Sequence, residues 1–245
     1  MTTPMKASIQ YQLRDYRSSG LVLFGVNFIL IVLAVVGLFS IGIDGEITYS
    51  AYGFSAAVFM LVSGIVYARQ TIRLCAQMGT GRKTAFLSLI PPAVIAAMVI
   101  AAAGEVLLIG AQAVTAGHPE FYFNDLYGII FVGFDSILTP LQHGISALFS
   151  TCLMLACFGF GLFCSALFWR LNKIGCVIAG ILMGAAFLFG LPFVSLQFTS
   201  EMEMLMNFCF ASPWNCMGTF LVVFLFFSII AWFLVRNVHI RAGAK

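Results

Sequence analysis

The chain has 245 residues, of which 62% are apolar and only 9% charged, against roughly a quarter charged in an average soluble domain. Mean hydropathy is +1.05. This composition excludes a cytosolic enzyme, a disordered chain and a secreted disulfide scaffold, and points to an integral membrane protein whose main solvent is the bilayer.

Residues 6–19 carry Ile9, Leu13 and Tyr16 at spacings of four and three, with Arg14 and Arg17 between them. The pattern predicts a short amphipathic helix lying on the inner membrane surface. Six apolar runs follow, over 20–43, 51–68, 85–115, 141–168, 174–196 and 214–235. Each reaches the ~18–20 residues that a helix needs to cross about 30 Å of hydrocarbon. The first run is long and follows a polar segment, so it reads as a span and not as a cleaved signal. Strict alternation over ten-residue segments, the mark of a membrane barrel, is missing. The expected architecture is all-α: one transmembrane domain over 1–245 with six transmembrane helices.

Between the second and third runs stands the segment from Arg69 to Phe86. Ile72, Cys75 and Ala76 make one face of a short helix, which Gly79 and Gly81 end. Arg82 and Lys83 anchor the third run. That run is too long for a straight crossing, and Pro91-Pro92 should kink it or break its first turn. Residues 116–140 are not polar but rich in Phe and Tyr. They are expected in the outer interface or re-entering the membrane, with Pro140 ending the segment.

All 12 Lys and Arg residues fall on one side of the membrane if the runs alternate. The positive-inside rule then puts both termini in the cytoplasm. Asp44, Glu46, Glu120, Asp125, Asp135, Glu201 and Glu203 fall on the other side. Anionic lipid headgroups suffice as partners for the basic face, and no nucleic acid is expected there.

Few residues carry readable chemistry. Gly81-Arg82-Lys83-Thr84 lacks the Gly before Lys-Thr that a nucleotide-binding loop requires, so no nucleotide cofactor is expected on this chain. His118, His143 and His239 form no metal pair in sequence, no metal site is expected, and all three read as interfacial or tail residues. Glu105, inside the third run, costs a few kcal/mol unless it is paired, protonated or hydrated. It is either a functional embedded acid or a solvated one at the outer headgroup level. Cys209 and Cys216 could form a disulfide in an oxidising exterior. Gly180 and Gly184 form a small-xxx-small stripe that serves either a dimer contact or packing within the chain.

The run Gly79-Thr-Gly-Arg-Lys-Thr-Ala-Phe86, directly before a long apolar span, resembles the G-x-S-R-K-x-x-F segment of ABC-2-type permeases, the six-span membrane subunits of bacterial ATP-binding cassette transporters. Gly81 stands where that family has Ser. Residues 6–19 resemble the family's N-terminal elbow helix, Glu105 an acid often found in its third span, and Phe168-Trp-Arg170-Leu-Asn-Lys-Ile-Gly175 its turn between spans 4 and 5. The resemblance implies an exporter permease of the bacterial plasma membrane, and the acidic, Phe-rich outer face suits amphipathic or cationic peptides as its substrate. Residues 70–81 would be the coupling helix, with Arg73, Gln77, Met78, Gly79, Thr80, Gly81, Arg82 and Lys83 seated in a separate cytosolic ATPase. That partner would hold ATP and Mg, and this chain would not itself be an enzyme. A second permease copy, homo- or heterodimeric, would pack on Gly180 and Gly184. The alternative reading is a non-catalytic membrane scaffold or channel.

Overall fold

The computed structural model describes residues 3–41, 47–49, 51–115, 121–133, 138–171, 174–175, 178 and 199–236. Seven α-helices are formed by these residues: α1 (Thr3–Ile41), α2 (Ala51–Gln77), α3 (Arg82–Leu87), α4 (Ile90–Thr115), α5 (Pro140–Arg170), α6 (Thr199–Phe210) and α7 (Pro213–Arg236). Five stretches are long and apolar enough to cross a membrane: Met5–Leu33, Tyr52–Gln77, Arg82–Thr115, Pro140–Arg170 and Pro213–Arg236. The protein is a polytopic helical membrane protein. The apolar run 174–196 lies almost wholly outside the described residues, as do Gly180 and Gly184.

Three expectations change. The segment 6–19 is not a separate surface helix but the first half of α1, which runs unbroken for 39 residues, about 58 Å. Gly20 weakens the helix without breaking it, because nothing there removes a backbone donor. The inward face of this half is Ser8, Gln12 and Tyr16, all buried, and not the Ile9–Leu13 side. The Ser8 and Ser88 hydroxyls lie 3.2 Å apart, and Gln12 Nε2 donates to Ser8 Oγ at 3.2 Å and to the Ser88 carbonyl at 3.4 Å. The two serines and the Gln12 amide nitrogen are tolerable here because they hydrogen-bond one another, whereas Gln12 Oε1 and the Tyr16 hydroxyl have no partner among the described residues.

Residues 70–77 likewise are the last two turns of α2, so no separate coupling helix exists over 70–81. Gly79 does end the helix as expected. Its φ is 69°, its N–H donates to the Ala76 carbonyl at 3.1 Å, and the Thr80 N–H donates to the Cys75 carbonyl at 2.9 Å. This is the paired closure that only a left-handed residue permits cheaply. Pro91 and Pro92 act as expected. α3 stops at Leu87, and both prolines sit in the first turn of α4, where no intrahelical donor is lost.

The third change is a two-stranded parallel ladder, Ile47–Tyr49 (β1) with Phe121–Phe123 (β2). It ties the α1–α2 connection to the segment after α4. Beyond β2, Tyr127 and Phe131 turn inward onto Phe149 of α5. The segment 116–140 is thus packed on the bundle where it is described.

Helix α5 is the axis of the bundle. Gly161 faces Leu61 so closely that a Cβ would run into the Leu61 carbonyl, and Gly64 similarly meets the Phe158 carbonyl. Small residues allow two backbones to meet, which is how helices associate where no water drives them together. Ser165 Oγ donates to the Ile65 carbonyl at 2.9 Å. Leu61 against Gly161 and Ile65 against Ser165 rise in step, so α2 and α5 are parallel. Phe149 on Phe220 and Phe163 on Phe227 make α5 and α7 parallel too. Tyr16 against Tyr67 and Asn27 against Ser55 make α1 and α2 antiparallel. Outward faces are apolar, with Leu21, Val62, Val99, Val222 and Phe233 all exposed, as lipid contact requires.

Candidate functional site

Helix directions decide where the charges go. With Tyr16 beside Tyr67, antiparallel register puts Arg14 and Arg17 at the level of Arg69. Arg82 Nη1 donates to the Arg236 carbonyl at 3.0 Å, and parallel α5 and α7 end together at Arg170 and Arg236. Lys6, Arg14, Arg17, Arg69, Arg73, Arg82, Lys83, Arg170 and Arg236 therefore share one end of the bundle. The corner between α2 and α3 is the outermost part of that end. Arg73, Gln77, Met78, Gly79, Gly81 and Lys83 are exposed there, and Thr80 and Arg82 are half-buried. Arg82 is bonded to Arg236, and Arg69, Arg73 and Lys83 are exposed cations of the corner with no ion pair among the described residues.

Toward the opposite end lies a buried polar cluster around Glu105. Thr139 opens α5: its N–H donates to Gln142 Oε1 at 2.7 Å, and Pro140 is the first helical residue. His143, Ser146 and Ser150 follow at i, i+3 and i+7 on one face. That stripe meets Glu105 of α4. His143 Nδ1 lies 2.8 Å from Glu105 Oε2, and Glu105 is only 7% exposed. Ser150 Oγ donates to Asp125 Oδ2 at 2.6 Å, and Ser146 Oγ to the same oxygen at 3.3 Å. The other Asp125 oxygen rests against Gly53, in the first turn of α2, where a side chain would collide with it. A helix N-terminus is a favourable place for a carboxylate. Tyr52 donates its hydroxyl to the Ile100 carbonyl at 2.7 Å and lays its ring on Gly104. Glu105, Asp125, Asn124, Ser150 and Tyr52 line a narrow cavity of about 20 Å³, room for one water molecule.

The chemistry of this cluster is that of a shared proton and a local negative charge. An imidazole and a carboxylate at 2.8 Å form a charge-assisted pair when His143 is protonated. Among the described residues no Lys or Arg is hydrogen-bonded or ion-paired to either acid. Glu105 was the embedded acid that the sequence singled out. Its partner corrects the reading of His143 as an ordinary interfacial residue. Asp125, Ser146, Ser150 and Tyr52 were also missed, although the spacing of His143, Ser146 and Ser150 is a helical stripe that was there to be read.

The disulfide that Cys209 and Cys216 could have formed is not present: both thiols are free and buried, and Cys209 Sγ faces Thr219 Oγ1 at 3.5 Å. No family model, curated protein or solved structure matches the chain.

Proposed function

We propose that this chain is the membrane-spanning permease subunit of an ATP-binding cassette exporter of the bacterial plasma membrane, with six spans and both termini in the cytoplasm. The observation that carries the reading is the exposed basic corner at the end of α2, which gathers Arg69, Arg73, Gln77, Met78 and Lys83 at the cation-rich end of the bundle. A docked ATPase holding ATP and Mg would press on that corner. The corner is built to transmit force, since α2 continues from it without a break to Ala51 and is locked to α5 through Gly64 and Gly161. The shape of the docking element differs from the separate coupling helix that the family resemblance implied.

Six spans are favoured by direction. Because α5 and α7 run the same way, the chain between them has to return to the end opposite the cations. The apolar run 174–196 is long enough to do so as a helix. The Glu105–Asp125 cluster supplies negative potential at the far end, which suits an amphipathic or cationic peptide leaving the membrane. A second copy of the permease, held through Gly180 and Gly184, would complete the pathway.

The test is reconstitution. The chain should co-purify with an ATPase whose turnover changes in its presence. Replacing Met78–Lys83 by a Gly/Ser linker should abolish coupling. Unchanged transport with that linker would refute the docking role, and transport by the purified chain alone would refute the whole reading.

A further inference from the structure

Helices α1 and α4 are parallel and meet at two levels. At the basic end Ser8 joins Ser88, two residues before α4, and towards the other end Ile31 packs with Leu107 and Leu108. Between those levels the helices part and leave a groove of about 390 Å³. Its concavity comes from small residues. Gly20 would place a Cβ in open space, and Ala96 and Ala103 form the opposite wall. Tyr52 contributes the inner surface. Along α4 the lining runs from Ile95 to Ala103, about 12 Å of helix, close to the roughly 15 Å depth of one leaflet of hydrocarbon. Among the described residues, the one ionised side chain lining the groove is Arg17, at the mouth nearest the basic end.

We infer that this groove is a binding site for one acyl chain of an anionic phospholipid in the leaflet at the basic end, with the lipid phosphate held by Arg17. Charge complementarity chooses the occupant. An apolar slot one leaflet deep fits a hydrocarbon chain, and a lone arginine at its mouth fits the phosphate that such a chain carries. Arg14 and Asp15 lie near the same level, so the headgroup meets a net positive charge, and among the described residues no acid is ion-paired to Arg17. Each cation near the surface favours an anionic headgroup by about five-fold in affinity. Neither the docking corner nor the Glu105 cluster is required for this site.

The experiment uses the full chain in membranes containing phosphatidylglycerol and phosphatidylcholine. A benzophenone amino acid at Val99, which lines the groove and is 62% exposed, is irradiated and the product is weighed. An adduct of one phosphatidylglycerol per chain supports the inference. An adduct to residues 172–198 of the same chain, or to a second copy, overturns it, as does an adduct with either lipid in proportion to its abundance. Lipid titration followed by native mass spectrometry provides the second reading. Wild type should prefer phosphatidylglycerol about five-fold, Arg17→Lys should keep the preference, and Arg17→Gln should lose it. A filled groove in Ala103→Leu should lower retention of both lipids. An Arg17→Gln chain that folds and keeps the wild-type preference overturns the assignment.

Discussion

Replacing His143 by Ala leaves Glu105 inside the bundle without its imidazole partner. The carboxylate is 7% exposed and its Oε2 lies 2.8 Å from the imidazole. When both groups are ionised, an effective dielectric constant of about 20 gives an attraction of roughly 6 kcal/mol at that separation before desolvation is subtracted. Breaking a buried pair from one side costs about 3–5 kcal/mol, because the remaining charge stays desolvated. Uptake of a proton by Glu105 and the nearby Ser146 hydroxyl reduce this, so His143→Ala should destabilise the protein by about 3 kcal/mol. Glu105→Gln should cost less, since a neutral amide is cheaper to bury and still hydrogen-bonds His143. The double variant should be no worse than His143→Ala alone. Reversible unfolding in mixed micelles, monitored by Trp fluorescence, gives the three free energies and hence a coupling energy of about 2 kcal/mol. If the two single effects add to within about 0.5 kcal/mol, the pair carries no net interaction and the account of this cluster fails.

The α2–α5 contact should tolerate no side chain at Gly161. Gly161→Ala drives a Cβ into the Leu61 carbonyl and should destabilise by about 1–3 kcal/mol, whereas Gly110→Ala, which meets nothing, should be neutral or stabilise by up to about 1 kcal/mol; equal effects in the same unfolding assay would contradict the close crossing. Gly79→Ala puts a Cβ on a φ of 69° and should cost about 1 kcal/mol, with Gly79→Asn milder; amide exchange at Thr80 would rise in the first variant before the rest of the bundle is affected. Maleimide labelling of the denatured chain should modify Cys209 and Cys216 equally with and without prior reduction, and a gain of two labels after reduction would show a bond that the structure does not contain.

The solvent of this protein was legible in the sequence, as were five of its long apolar helices and, among the described residues, the gathering of Lys and Arg at one end of the bundle. Those properties are local: a run of apolar residues crosses a membrane whatever its neighbours do, and Arg or Lys stays at the end where it is written. The break at Pro91-Pro92 and the stop at Gly79 were legible for the same reason, because each acts on its own backbone. Which residues meet was not legible. Glu105 and His143 stand 38 positions apart, and their contact depends on how α4 and α5 are rotated about their axes. The Ser8–Ser88 bond, the β1–β2 ladder and the Gly64–Gly161 crossing depend equally on register between distant segments. Hydropathy alone separated residues 6–19 from the span after them, yet the helix passes straight through, because no proline or competing cap interrupts its hydrogen bonds and the bundle buries Ser8, Gln12 and Tyr16 along the way. Composition determined that the chain lives in a bilayer, and tertiary packing decided where its few polar groups find one another, since in hydrocarbon such a group is stable only when another part of the fold meets it.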